Sequence, residues 1–253
     1  MFNFYLYKYN RLIKKIEKKF QISLFFLSVF RLLLIILEKI YFKKLETNNV
    51  SVFSNYYLKK NMFSKENNII SAGIANENSF ERSIFQNIGI NKMICIDPTD
   101  IAQNTMENLK ADNIFFLKNA LFDKTDEIKI FKPFSKDNHN LSLDNLYESQ
   151  DYDIVKTLTV DEIMRNFEMK KLDIVKLDVE GVADKVIVSM LKKNIYPSQI
   201  IFEIERPMSF LRQFEFFKRT LRLIKILSED YELYSYTKKK LGFRIEILAT
   251  LKN

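Results

Sequence analysis

Residues 171–181 read KLDIVKLDVEG, an apolar β-run that stops at two acids and a glycine. A lone carboxylate inside a buried strand suffers a large desolvation penalty, so Asp178 and Glu180 belong just past the strand's end, where acids can meet a ligand. The same arrangement recurs upstream. The run at 68–74 leads into Ser71-Ala72-Gly73-Ile74-Ala75-Asn76-Glu77, in which Gly73 permits a tight turn and close backbone approach. The run at 92–98 ends in Asp97-Pro98-Thr99, 24 residues past Gly73, and a carboxylate there can accept both hydroxyls of a ribose. After a third run, Asn119-Ala120 is placed to bracket an adenine ring. One glycine stands where a dinucleotide fingerprint has three, which disfavours a nicotinamide-dependent oxidoreductase and leaves a nucleoside-like cofactor.

These residues need a sheet to bring them together. Short β-rich runs occur at 68–74, 92–98, 113–121, 127–131, 173–179, 199–205, 231–237 and 243–251. Between several of them lie segments of helical spacing: Phe80, Ile84 and Phe85; Val160, Ile163, Met164 and Phe167; Val186, Ile187, Met190 and Leu191. Strands alternating with helices imply an α/β fold with a parallel sheet and right-handed crossovers. Only KKKLG separates the last two runs, too short for a crossover, so they are expected to form an antiparallel hairpin, with KKK a solvated turn. Ligands of such sheets bind at the carboxyl ends of the strands, where the polar clusters fall.

The motifs SAGIANENSFE (71–81), CIDPT (95–99), NALFDK (119–124) and, most specifically, TLTVDEI…LDIVKLDVEG resemble the FkbM-type class I S-adenosylmethionine-dependent methyltransferases over roughly residues 68–250. The resemblance implies a Rossmann-like, seven-stranded, mostly parallel sheet with a C-terminal antiparallel hairpin, and S-adenosylmethionine as cofactor. It also implies a cofactor set of Gly73, Ala75, Glu77, Asp97, Pro98, Asn119, Ala120 and Asp178. In that set Gly73 shapes the loop around the methionine part, Asp97 holds the ribose, Asn119 and Ala120 flank the adenine, and Asp178 faces the reacting end. The chain departs from the family pattern at Ser71, where many members carry an acid, and at Glu77, which looks like an acidic variant of the loop. It reads Gly181-Val182-Ala183 for Gly-Ala-Glu, and Glu203-Ile204-Glu205 for a Glu-apolar-His triplet.

The implied reaction is methyl transfer, with a hydroxyl of a sugar, glycolipid or small molecule as acceptor. A hydroxyl acceptor calls for a base, and the candidates are Asp178, Glu180 and His139, the only histidine, in the polar stretch KDNHN. Asp161, before EIMRNF, reads chiefly as a helix cap, and Glu180 and Glu203 also suit a structural role. The departures leave an alternative: a degenerate methyltransferase fold that binds without turnover and acts as a membrane-tethered scaffold. No metal is expected, because one histidine and one cysteine supply no zinc spacing. A Mg²⁺ site built from Asp178 and Glu203 is the minor alternative.

Composition supports a sizeable core, with 47% hydrophobic residues in 253. A single cysteine, Cys95, excludes an internal disulfide and reads as a buried structural thiol. The net charge of +8 resides at the amino end: residues 1–60 carry 12 Lys/Arg against 3 Asp/Glu, leaving the remainder near neutral. That asymmetry argues for anionic lipid over nucleic acid. Within this end, 22–37 is almost wholly apolar, with Gln21, Ser28, Arg31 and Glu38 on one narrow polar stripe. Residues 1–60 are therefore expected to form a basic and apolar helical extension, with 61–253 the methyltransferase domain. Residues 12–42 would lie on a membrane, span it once or pack on a partner, and the chain would be cytoplasmic or at the membrane's cytoplasmic face.

Overall fold

The computed structural model describes residues 32, 35–132, 142, 145, 149–205, 212–236 and 244–252. The chain divides into two units, Met1–Ile40 and Tyr41–Asn253. In the first, residues 35–40 are helical, and Leu32, Ile36 and Ile40 are exposed at four-residue spacing. Among the described residues no helix is long and apolar enough to cross a membrane. Most of the segment 12–42, the loop bearing His139 and the run 238–240 lie outside the described residues.

The second unit is built on strands β1 (Phe42–Lys43), β2 (Val50–Phe53), β3 (Tyr56–Lys59), β4 (Asn67–Ala72), β5 (Ile90–Ile96), β6 (Ile114–Leu117), β7 (Ala120–Leu121), β8 (Glu127–Phe131), β9 (Tyr152–Leu158), β10 (Ile174–Leu177), β11 (Gln199–Glu205), β12 (Tyr231–Ser235) and β13 (Arg244–Leu251). Its helices are α1 (Ser79–Asn87), α2 (Asp100–Met106), α3 (Val160–Asn166), α4 (Ala183–Lys192) and α5 (Gln213–Asp230). The main sheet runs β1-β12-β13-β11-β10-β4-β5-β6. Strands β6, β5, β4, β10 and β11 are parallel neighbours, and β13 is antiparallel to both β11 and β12. The seven expected strands are therefore present, with the two-residue β1 added on the β12 edge as an eighth.

Three features were not anticipated from the sequence. The run 113–121 breaks at Lys118-Asn119, and β7 leaves the main sheet to pair with β9, which also pairs with β8. Strand β9 has only one fully buried residue, Thr157, and exposes Ile154, so it lacks the alternation that marks a half-buried strand. Strands β2 and β3 form a hairpin over 50–59, inside the segment expected to be helical extension. A two-residue link, Ser54-Asn55, joins them, with Ser54 at φ 57°. The boundary between the two units falls after Ile40, upstream of the expected change at residue 60, because this hairpin belongs with the sheet.

Strand β3 is anchored at both ends. The Gln199 side chain accepts from Lys59 N at 2.7 Å and donates to Lys59 O at 3.1 Å, while the Tyr56 hydroxyl donates to Asp178 Oδ2 at 3.0 Å. Phe53 and Leu58 enter the same core as Ile69, Phe80, Ile84, Met93 and Cys95. Helix α3 is capped by a Thr159–Glu162 capping box, with Thr159 N donating to Glu162 at 3.0 Å. Asp161 is therefore not the cap. It lies in the first turn, where it accepts from Thr159, Arg165 and Lys193.

Burial acts upward on Asp161, but the bonds from Lys193, Thr159 and Arg165 outweigh it and hold its carboxyl at about 2. Hydrogen bonding to Lys43 and Tyr234 holds Glu232 at about 2 as well, tying β1 to β12. Carboxyls depressed by folding contribute stability above their ordinary range and lose it as pH falls through their folded values. Glu232→Gln is therefore expected to flatten the acid limb of the melting-temperature profile between about pH 4.5 and 2. The check is thermal melting against pH for wild type and variant, and parallel profiles would contradict the assignment.

Candidate active site

Strands β4, β5, β6 and β10 are neighbours, so their carboxyl ends form one edge. Four of the expected positions meet there through hydrogen bonds or close contacts. Gly73 leaves β4 at φ +80°, and a Cβ added there would lie 1.9 Å from the Asp178 carbonyl oxygen. Only a residue without a side chain allows the exits of β4 and β10 to come this close. The crossing is tied by Asp178 N donating to Ala72 O at 3.0 Å, while Gly73 N donates to Ile96 O at 3.1 Å and joins the loop to β5.

Asp97, 6% exposed, is the knot of the loop. Its Oδ2 accepts from Ile74 N at 2.9 Å and Ala75 N at 3.1 Å, and its Oδ1 accepts from Thr99 N at 2.9 Å and Thr99 Oγ1 at 2.6 Å. Four donors fill the four acceptor positions of a carboxylate. A ribose hydroxyl would have to displace one of them, and the Thr99 hydroxyl, which rotates, is the easiest to move. Thr99 is in turn the N-cap of α2, accepting from Ala102 N. Ala75 sits at φ 49°, a left-handed conformation stabilised by its bond to Asp97. Pro98 is half-buried at the turn between them.

Asp178 has spare capacity. Tyr56 supplies a hydrogen bond to its Oδ2, the one side-chain bond it accepts among the described residues, leaving Oδ1 for a ligand. Burial, followed by the Asp178 and Glu203 carboxylates, pushes the Tyr56 phenol far up, so Tyr56 stays a donor and keeps Asp178 oriented. Asp178 does not cap a helix, since α4 begins at Ala183. Tyr56 is the site residue missed by the sequence reading. The signal was present as a Ser54-Asn55 turn between two four-residue β-runs, in a segment dominated by basic charge.

The remaining expected positions are more peripheral. Asn119 donates from Nδ2 to Lys156 O at a long 3.4 Å, so it can turn toward a ligand at little cost, and Ala120 is buried on β7. Glu77 is exposed and accepts from Ser79 Oγ at 2.7 Å. It lines a polar cleft of about 480 Å³ with Arg82, Thr105 and Asn108, a cleft that Asp97 and Asp178 do not line. Glu180 is half-buried, and its carbonyl accepts from Ser142 Oγ at 3.2 Å. Burial, then the Glu246, Glu203 and Asp178 carboxylates, pushes the Tyr236 phenol up near the same edge. Among the described residues no group of three or more His, Cys, Asp or Glu is arranged to hold a metal.

The Gly73 contact carries a direct expectation. Gly73→Ala combines a disfavoured φ with a clash against backbone, and should destabilise the protein by roughly 2–5 kcal/mol. Urea denaturation provides the measurement, and a midpoint equal to wild type would show that the two strand exits are not in contact.

The family model described as the methyltransferase FkbM domain matches residues 45–245. Among solved structures, the chain is similar to the methyltransferase FkbM from Methylobacillus flagellatus KT, at 14% identity and TM-score 0.48, covering 74% of this chain and 44% of that one. It is also similar to an O-methyltransferase from Bacillus cereus in complex with SAH, at 12% identity and TM-score 0.43, covering 73% and 74%. A third is the Aeropyrum pernix fibrillarin with natively bound S-adenosyl-L-methionine, at 11% identity and TM-score 0.45, covering 76% and 70%. The chain thus spans less than half the length of the Methylobacillus protein. No curated protein matches it. With the match extending from the start of the hairpin region into β13, the chain belongs to the FkbM methyltransferase domain family.

Proposed function

We propose that the chain is an S-adenosylmethionine-dependent methyltransferase acting on a hydroxyl of a sugar, glycolipid or other small molecule. The observation that carries this reading is the convergence of the Gly73 loop, Asp97 and Asp178 at the carboxyl ends of adjacent parallel strands, with Asn119 following the next strand. The residues fit the cofactor at three points: Asn119 is loosely held, Asp178 Oδ1 is uncommitted among the described residues, and the Thr99 hydroxyl on Asp97 can be exchanged for a ribose hydroxyl. Bound there, the cofactor supplies an electrophilic methyl group on a sulfonium.

The chain's own part is alignment and proton removal. Tyr56 holds one Asp178 oxygen, so the other points in a fixed direction. With the cofactor bound, that oxygen would be the group that orients the acceptor's hydroxyl and takes up its proton. Glu180 and His139 remain further candidates for the base.

The second reading, a fold that binds without turnover and is tethered at a membrane, draws on two observations. All four acceptor positions of Asp97 are filled by its own chain, and Glu205 stands where the family often has histidine. The exposed stripe of Leu32, Ile36 and Ile40, beside a basic amino end, supports contact with an anionic membrane surface under either reading.

Incubation with radiolabelled S-adenosylmethionine and a saccharide extract separates the two. Label on a saccharide is expected, whereas retained cofactor affinity without transfer would favour the scaffold. In calorimetry S-adenosylhomocysteine should bind and NAD should not. Asp97→Ala should weaken that binding at least tenfold, about 1.4 kcal/mol, through loss of the ribose contact and of the loop's anchor. Unchanged affinity would remove the nucleoside assignment. Tyr56→Phe should lower kcat about tenfold with little change in cofactor affinity, because it frees Asp178 without touching the loop. An unaltered kcat would show that the Tyr56 bond does not position Asp178 for the chemistry.

A further inference from the structure

We propose that Lys176 is a positioning residue for the cofactor loop, acting through the Gly73 carbonyl, with Glu81 as its counter-ion; this rests on the cofactor reading above. Lys176 lies on β10 and Glu81 on α1, and their side chains are 4% and 0% exposed. Lys176 Nζ donates to Gly73 O at 2.6 Å and stands 3.7 Å from Glu81 Oε1. The faces of Tyr56 and Phe80 flank the ammonium, at 5.3 Å and 5.8 Å from ring centroid to nitrogen. Ser71 Oγ donates to Glu81 Oε1 at 2.5 Å, while Glu81 Oε2 is buried and has no hydrogen-bond partner among the described residues.

A buried ion pair is a poor way to stabilise a core, since an apolar pair of similar volume serves as well or better. What this pair provides and apolar residues do not is a charged donor fixed on a loop carbonyl. The loop is gripped from two sides: Lys176 takes the carbonyl of Gly73, and Asp97 takes the amides of Ile74 and Ala75. Lys176 pulls from β10 and Asp97 from β5, so the peptide between them cannot rotate without breaking a charge-assisted bond. Glu81 stands beside the lysine as its counter-ion in the core, and Ser71 orients Glu81. Because residue 71 already touches the carboxylate, an acid carried by β4 would reach the same place as the one carried by α1.

Two double variants test the proposal. Lys176→Met with Glu81→Gln removes both charges together and leaves no lone buried ion. Ser71→Asp with Glu81→Ser moves the carboxylate to the strand and keeps the lysine. In the neutral variant, amide exchange at Ile74 and Ala75 should accelerate at least tenfold, exchange in β11 should stay as in wild type, and affinity for S-adenosylhomocysteine should fall at least tenfold. The relocated variant should return both readouts to within about threefold of wild type. Wild-type exchange at the two amides of the neutral variant would overturn the proposal, as would equal acceleration across β11, the mark of a merely structural pair. If the neutral variant does not fold, the relocated variant decides alone: a slack loop in that folded protein overturns the proposal. Wild-type protein that fails to bind S-adenosylhomocysteine would defeat the cofactor reading instead, while the amide comparison would still judge the role of Lys176.

Discussion

The contact between the exits of β4 and β10 is the constraint from which the rest of the site follows. At Gly73 the backbone turns with φ +80° directly against the Asp178 carbonyl. Because the two strands are parallel neighbours in register, Ala72 opposite Leu177, the loops that leave them start from a shared point. Asp97 enters from the next strand and takes two loop amides. Tyr56 enters from the hairpin and takes the Asp178 carboxylate. Each is within reach only because the strand exits have been brought together first.

Much of the sheet was legible because its strands are buried on both faces and read as apolar runs. Strand β10 is buried throughout, and β4 is buried along its whole length even where it carries Asn67, Asn68 and Ser71. The helices were visible for the opposite reason, an amphipathic spacing that survives in α4 as Val186, Ile187, Met190 and Leu191, all buried. Strand β9 escaped because its exposed residues carry no periodicity, and the β2–β3 hairpin escaped because the charge of residues 1–60 was read as belonging to one element. Local pattern reports burial, so it falls silent where a strand is held by hydrogen bonds to a partner instead.

The site was legible by residue type and less so by role. Asp97 was expected at a strand tip and stands there, but its hydrogen bonds point inward to its own loop. Asp178 was expected near the reacting end, and among the described residues its Oδ1 accepts no side-chain hydrogen bond. No spacing rule announces Tyr56 or Lys176, since their partners lie 122 and 103 residues away along the chain. Asp161 illustrates the reverse case: its position suggested a cap, and Thr159 with Glu162 does that work while Asp161 joins helix α3 to Lys193.

Cys95 lies near the carboxyl end of β5, opposite Ser71, with no exposed surface. Burial pushes its thiol well up, the Glu81 carboxylate adds to this, and Lys176 only partly opposes them. It is the only sulfhydryl in the chain, so the folded molecule presents no exposed thiol to thiol-directed reagents. Thiol–disulfide exchange is thereby closed to the folded molecule, and the same sealed atom makes thiol labelling a one-site clock for opening of the sheet.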